Sequence, residues 1–290
     1  YLLTGRDPTC LSHAPFQADT LFGAQAALLG RTAYLPPCMN AFVGADITCA
    51  VLASGMCARA ETALLCDIGT NGEMALWKGG VLYVTSTAAG PAFEGAGISC
   101  GCGSVRGAID RVWLENGALR VHTLGDGAAT GVCGSGLIDA VAAALESGRI
   151  DETGYMEEDS LPLSGGVALL PQDIRAVQLA KAAIAAGMEI LLETAGTTWD
   201  KVRALYIAGG FGSHLNLQSA ADIGLLPPAL VDRAQSIGNA ALAGAALTLL
   251  DRETHPLLAR IASSAKHVNL GGNPRFNERY VERMLFGDEL

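Results

Sequence analysis

The segment Cys66–Glu73 carries the residue types that phosphate chemistry needs. An apolar run ends in Asp67 and is followed by a glycine, a hydroxyl residue and an Asn-Gly turn. A carboxylate at a strand end is held rigidly, and glycines let consecutive backbone N–H groups of a turn point at one anion. We therefore expect Asp67 to bind magnesium or to orient an attacking water. The residues predicted to bind the phosphates are Gly69, Thr70, Asn71 and Gly72. The alternative is a hairpin turn that the aspartate merely caps.

A second glycine-rich segment follows the predicted strand Val202–Ala208. Bare backbone at the end of a strand lets a flat ligand approach closely, which suits an adenosine. The adenosine-binding residues predicted here are Gly209, Gly210, Phe211 and Gly212. Gln178 and Lys181 lie one helical turn apart and share a helix face, so we add them to the same site. The alternatives are a tight strand-to-helix turn and an ordinary surface lysine.

Weaker signals come from Glu94 and Ser135. Glu94 is a candidate base or a cap of a helix end. Ser135 lies in a glycine loop before a predicted helix, where it either helps to bind an anion or forms an N-cap. The eight cysteines are scattered, and reduced thiols are the expectation. Cys100 and Cys102 lack the spacing of a zinc or cluster site, and their role stays open.

Composition excludes several classes of protein. The net charge is −10 and no basic stripe is visible, which argues against a nucleic-acid partner. The sequence contains no uninterrupted apolar stretch of membrane-spanning length and begins without a signal-peptide pattern. We therefore expect a cytoplasmic protein with no membrane partner.

The elements that must position these residues form an α/β pattern, with most strands early and most helices late. We predict strands at Ala63–Asp67, Met74–Trp77, Val81–Thr85 and Val202–Ala208. We predict helices at Ala18–Leu29, Gly44–Ala58, Leu137–Ser147, Gln172–Ala195 and Ser236–Leu250.

Taken in order, the motifs resemble a specific family. They read DIGTNGE (67–73), AAGPAFEGAGI (88–98), GVCGSGLID (131–139), DIRAVQLAKAAIAAG (173–187), IAGGFG (207–212), IGLLP (223–227) and SIGNAALAGA (236–245). This series is similar to the C-terminal ATPase region of the reductive activators of corrinoid proteins. That family belongs to the superfamily of acetate kinase, sugar kinases, Hsp70 and actin.

The resemblance implies an actin-like ATPase (ribonuclease H-like) fold, mostly the second lobe with part of the first. It implies three parts: 1–60 as the remainder of the first lobe, 61–235 as the second lobe, and 236–290 as a connecting helix with a return segment. The first connecting helix is then expected at Gly131–Ser147. The implied cofactors are ATP and magnesium. The implied activity is ATP-dependent return of cobalt from Co(II) to Co(I) in a corrinoid protein partner of a methyl-transfer system.

Two features of the family are missing from this sequence. The first phosphate motif and the N-terminal iron–sulfur domain that would deliver electrons are expected upstream of Tyr1, so we expect a fragment of a longer protein and no cluster in this chain. The family's Gly-Met-Arg-Ala stretch is replaced by Gly101-Cys102-Gly103-Ser104. A small-molecule kinase, and a docking module that binds no nucleotide, remain alternatives. The corrinoid partner, the methyl donor and homodimer formation stay open.

Overall fold

The computed structural model describes residues 25–28, 31–210 and 215–287. Its strands are β1 Gln25–Leu28, β2 Arg31–Tyr34, β3 Thr62–Ile68, β4 Gly72–Lys78, β5 Val81–Thr87, β6 Ala108–Glu115, β7 Ala118–Thr123, β8 Gly131–Val132, β9 Leu161–Ser164, β10 Val167–Leu169, β11 Val202–Ala208, β12 Ala234–Gly238 and β13 Ala265–His267. Its α-helices are α1 Ala45–Ser54, α2 Gly134–Glu146, α3 Pro171–Ala195, α4 Leu217–Asp222, α5 Ala240–Leu250, α6 Thr254–Ser263 and α7 Pro274–Glu282.

A six-stranded mixed sheet organises the chain, in the order β12-β11-β3-β4-β5-β13. β3, β4 and β5 form an antiparallel meander, whereas β11 pairs in parallel with both β3 and β12. The register places Asp67 opposite Glu73 on β4 and opposite Ala208 on β11. The carboxyl ends of β3 and β11 therefore meet at one edge of the sheet, the usual position of a ligand site in an α/β fold.

Apolar residues alternate along the central strands, so each face of the sheet supports its own core. One core includes Leu64, Cys66 and Ile68 of β3, with buried residues of α2 and α3. The opposite core includes Ala63 and Leu65 of β3, with residues of α1 and α6. Asp67 follows the second alternation and lies on the α1 face.

α3 crosses the first face and packs closely on β4. A Cβ atom on Gly72 would lie 2.9 Å from Ile184 Cγ1, and one on Gly187 would lie 2.5 Å from the Met74 Cε atom. The helix begins at Pro171, where the Asp173 carboxylate accepts the backbone N–H of Leu170 at 2.8 Å. Small residues at these contacts bring the helix close to the strand that follows the candidate phosphate turn.

A smaller unit lies between β5 and α3 in the sequence. β6, β7 and β8 form a three-stranded sheet, and β9 pairs with β10. α2 packs on β6, where a Cβ on Gly136 would lie 2.2 Å from the Ile109 carbonyl oxygen. The glycines of the segment before α2 thus have a packing role.

α5 packs against α1, because Gly244 allows backbone contact. A Cβ on Gly244 would lie 2.0 Å from the Cys49 carbonyl oxygen. α2, the helix expected to be the first connecting helix, contacts β6 and α4. The outward residues of α5 are apolar, and Leu249 and Leu250 are 85% and 82% exposed.

Most predicted elements are confirmed to within a few residues, with two exceptions. The helix expected from Ser236 is wrong in its first turn, because 236–238 belong to β12 and the helix starts after the Asn239 N-cap. The helix expected at 18–29 is wrong over 25–28, which form β1; the rest of that range lies outside the described residues. Within the described ranges, no helix has the length and apolar character needed to cross a membrane.

Candidate functional site

The two glycine-containing motifs meet at the carboxyl edge of the sheet. Gly209 follows β11 with φ of 105°, and its N–H donates to the Gly238 carbonyl oxygen at 3.0 Å. A Cβ on Gly209 would lie 2.6 Å from the Ile68 carbonyl oxygen and 3.0 Å from Asp67 Oδ1. Gly209 is therefore needed where β11 passes the candidate phosphate motif. Among the residues that the structure describes, no atom lies within 4 Å of a Cβ built on Gly210.

The exposed turn between β3 and β4 binds a carboxylate from another loop, that of Glu94. Thr70 donates its backbone N–H to Glu94 Oε1 at 3.0 Å and its hydroxyl to Glu94 Oε2 at 2.6 Å. The Gly90 N–H donates to the Thr70 carbonyl oxygen at 2.8 Å, and the Gly69 N–H donates to the Asn71 carbonyl oxygen at 3.1 Å. The turn thus presents donors to an anion. The carboxylate of Glu94 occupies those of Thr70.

Three carboxyl groups influence one another beside this turn. Burial, together with the negative charge of Asp46, raises the pKa of Asp67 to about 6. Burial also raises the pKa of Glu73 to about 7, with additional repulsion from Asp46 and Asp67, while a hydrogen bond from Ser86 opposes the change. The site therefore favours protons or a cation when no ligand balances its charge.

Glu73 and Asp46 are members of the site that the residue-by-residue reading missed. Glu73 ends the DIGTNGE motif, and its pairing with Asp67 follows from the hairpin register. Asp46 lies in the first turn of α1, and no local pattern predicts that its charge acts on Asp67. The N-terminal end of a helix is favourable for negative charge.

The residues present fit a phosphate ligand with its magnesium ion. Asp67 supplies a carboxylate at the end of β3, the turn that follows it binds an anionic group through Thr70, and Gly209 leaves bare backbone alongside. In the part of the chain that the structure describes, no group of three or more His, Cys, Asp and Glu residues is arranged to hold a metal. Magnesium usually binds through one or two carboxylates together with substrate phosphates, and Asp67 can supply such a carboxylate.

Gln178 and Lys181 lie apart from the turn, beneath the C-terminal segment 284–287. Gln178 Nε2 donates at 2.9 Å to the carbonyl oxygens of Thr153 and Met284. Lys181 is 1% exposed, donates to the Leu285 carbonyl oxygen and lies 5.4 Å from the centre of the Phe286 ring. Burial lowers the pKa of Lys181 to about 7, assisted by the charge of Arg283. Their contact with an adenosine stays a prediction.

The remaining residues singled out from the sequence are buried, half-buried or outside the described ranges. Ser135 is buried in the first turn of α2, and its Oγ lies 3.4 Å from Cys133 Sγ. Cys100 and Cys102 are free thiols. Phe211 and Gly212 lie outside the described residues.

Comparison with known proteins gives consistent matches. The family model described as the C-terminal domain of RACo, the ASKHA domain, matches residues 61–289. "Corrinoid activation enzyme RamQ" of Eubacterium limosum is 35% identical over 327 residues, covering 100% of this chain and 55% of that protein. The Co(II) methylated amine-specific corrinoid protein reductase of Methanosarcina barkeri is 28% identical over 290 residues, covering 92% of this chain and 53% of that protein.

A solved structure gives the same result. "Reductive activator for corrinoid,iron-sulfur protein" superposes with a TM-score of 0.83 at 34% identity, covering 89% of this chain and 45% of that one. The chain spans about half the length of the relatives it matches. The expected fold is confirmed by the family match and by the superposition. The chain belongs to the family of C-terminal ASKHA domains of RACo, and its fold is that of the actin-like ATPases.

Proposed function

We propose that this chain is the nucleotide-binding part of an activator that reduces a corrinoid protein from Co(II) to Co(I) at the expense of ATP. The observation that carries the proposal is the meeting of Asp67, the Thr70 turn and Gly209 at one edge of an actin-like sheet. The names of the two relatives and of the matched structure supply the corrinoid partner.

In this proposal the phosphates lie at the β3–β4 turn and the adenosine lies along Gly209 and Gly210. Gly69, Thr70, Asn71 and Gly72 form the turn, and Asp67 faces the metal-bearing side of the phosphates. Magnesium, when bound, supplies positive charge that offsets the phosphates. The raised pKa values of Asp67 and Glu73 support this arrangement, since a cation would replace the repulsion that now favours protonation.

The electron and the nucleotide have separate roles. Each reduction adds one electron to one cobalt, and we infer that it arrives through an iron–sulfur domain of the longer protein. ATP binding and hydrolysis then change the relative affinities of the activator for the Co(II) and Co(I) states of the corrinoid protein. This difference is required, because a ligand can shift an equilibrium between two states only by its differential affinity for them.

The finer organisation follows the same proposal. We infer a first-lobe remainder at 1–60, a second lobe at 61–235 and a connecting helix with return segment at 236–290, although α1 and α5 pack on one sheet face. The seven described cysteines are free thiols, which supports a reducing, cytoplasmic location. The exposed apolar face of α5 supports burial against another surface, such as that of a homodimer, and light scattering of the intact protein tests the dimer.

A thermal-shift titration of the intact protein with Mg-ATP tests nucleotide binding. A ligand that binds only the folded state stabilises it by about 2.7 kcal/mol at one hundred times its Kd. We expect saturable stabilisation that Asp67→Ala weakens strongly. Asp232→Asn, a change at a residue of the 228–233 turn, serves as the control. A flat response to millimolar Mg-ATP in the unaltered protein would refute nucleotide binding.

A further inference from the structure

Glu94 is held against Thr70 by more than its own side chain. It ends a short 3-10 helix, Ala92–Glu94, whose first two residues are buried. A Cβ on Gly95, the next residue, would lie 2.6 Å from the Cys102 carbonyl oxygen and 2.7 Å from the Cys102 nitrogen. The Gly90 N–H also holds the Thr70 carbonyl oxygen. The 90–95 loop therefore binds Thr70 through the backbone N–H of Gly90 and through the side chain of Glu94.

The chemistry of this contact fixes the direction of the Thr70 hydroxyl. An ionised carboxylate can only accept hydrogen bonds, so at 2.6 Å the hydroxyl must be the donor. The distance lies in the range of charge-assisted O–H···O⁻ bonds, which are stronger than neutral ones. The Thr70 N–H is committed to the same carboxylate at 3.0 Å.

Thr70 consequently has no proton left for a phosphate. Its Oγ1 keeps two lone pairs, and a phosphate oxygen cannot donate to them. A water molecule can, because it brings a proton. The residue that the sequence offers as a phosphate donor is arranged in the structure as an acceptor.

We propose that Glu94 is a positioning residue that acts through Thr70: it accepts the hydrogen bond of the Thr70 hydroxyl, so that Thr70 Oγ1 accepts a hydrogen bond from the water that attacks the terminal phosphate. This role rests on the proposed ATP hydrolysis. In this step the water oxygen forms the new bond to phosphorus, the bond from phosphorus to the ADP oxygen breaks, and the two water protons leave with the released phosphate.

Substituted proteins separate this role from a structural one. Glu94→Gln keeps the shape and an acceptor for the Thr70 N–H, but its amide donates to the hydroxyl and turns the hydroxyl proton outward. Thr70→Val removes the hydroxyl and keeps the branched shape. In the intact protein, we expect each change to lower kcat for ATP hydrolysis by roughly 10- to 100-fold, the range of a lost hydrogen bond to a charged group. The Kd for Mg-ATP should stay within about threefold, since uniform binding is not lost.

The double variant gives the decisive comparison. If Glu94 acts only through the hydroxyl, Glu94→Gln costs nothing further in the Thr70→Val background, whereas independent residues would give multiplied losses. Thr70→Ser should retain most of the turnover. Glu278→Gln makes the same change of charge on α7 and should have no effect; α7 packs on α3, away from the turn.

A measurement without nucleotide reads the contact itself. Hydrogen exchange of the Thr70 amide should stay slow in Glu94→Gln and become fast in Glu94→Ala. Multiplied losses in the double variant, or tighter Mg-ATP binding in Glu94→Gln, would overturn the proposal while leaving nucleotide binding intact; tighter binding would mean that phosphate displaces the carboxylate. If the unaltered protein binds no nucleotide, the proposed function itself fails and this role fails with it.

Discussion

Substitution by alanine should lower the stability of the protein at Gly209 but not at the neighbouring Gly210. Gly209 has φ of 105°, outside the range that side chains adopt readily, and its Cβ would approach the Ile68 carbonyl oxygen to 2.6 Å. A strained backbone residue costs about 1–3 kcal/mol and overpacking a further 1–3 kcal/mol. We therefore expect Gly209→Ala to lower the free energy of unfolding by about 2–6 kcal/mol. At about 2–4 °C per kcal/mol, Tm should fall by roughly 4–24 °C.

Gly210→Ala should leave stability unchanged, because no described residue lies within 4 Å of its added Cβ. If the space around this Cβ takes the adenosine, the added methyl group should weaken Mg-ATP binding by about tenfold, an effect near 1.4 kcal/mol. Differential scanning calorimetry and isothermal titration calorimetry measure the two quantities on the same protein. Equal Tm values for the two variants would refute the reasoning about Gly209. Unchanged affinity in Gly210→Ala would refute the adenosine position.

Three further predictions concern charge and packing. Asp67 has a folded-state pKa of about 6, above its usual 3.8, so the free energy of unfolding should fall as pH rises from about 4 to 7 and the buried carboxyl group ionises. Asp67→Asn should be more stable than the unaltered protein at pH 8, by about 1–2 kcal/mol after solvent screening. Near pH 4 the two proteins should be equally stable in urea titrations. Lys181 has a lowered pKa of about 7, so the protein is destabilised while this buried side chain carries its charge, and Tm should rise between pH 7 and 10. Lys181→Met should remove this rise in Tm, whereas Lys201→Met, a change at an exposed lysine, should keep it. Gly244→Ala should separate α1 from α5 and cost about 2–4 kcal/mol by calorimetry, while Gly103→Ala, with open space around its Cβ, should cost less than about 0.5 kcal/mol.

Much of the fold could be read from local patterns. β3, β4 and β5 are marked by apolar runs and Gly-containing turns, and α3 by its helical spacing. The register of the hairpin also follows from the Asn-Gly turn. Local patterns do not show which element packs or pairs against which. Ser236–Gly238 forms part of a strand because the edge of β11 is free to pair with it, whereas the sequence of this segment alone favours the helix that follows.

The candidate site shows the same division. Asp67 and its turn are recognisable because the residue types and their order carry the chemistry. The Glu94–Thr70 bond is not recognisable, since 24 residues separate the partners and only the folded loop brings them together. Asp46 enters the site because α1 packs with one end near β3, which depends on its contact with α5.

Gln178 and Lys181 illustrate a limit of helical spacing. Their shared face was predicted correctly as a face of α3, since both side chains are buried on it. Spacing does not say what covers that face, and in the structure the carbonyl oxygens of 284 and 285 do so. Whether a nucleotide also reaches them is tested by the affinity of Gln178→Ala for Mg-ATP.

The central claim is that the Asp67 site couples ATP to corrinoid reduction. The most direct test follows the absorbance of Co(I) in the corrinoid protein under anaerobic conditions, with a fixed electron donor and the intact activator. We predict that Co(I) accumulates with the unaltered protein only when Mg-ATP is present, and that Asp67→Ala abolishes the ATP-dependent part while the activator remains folded. Equal Co(I) formation by Asp67→Ala, or by the unaltered protein without ATP, would contradict the account.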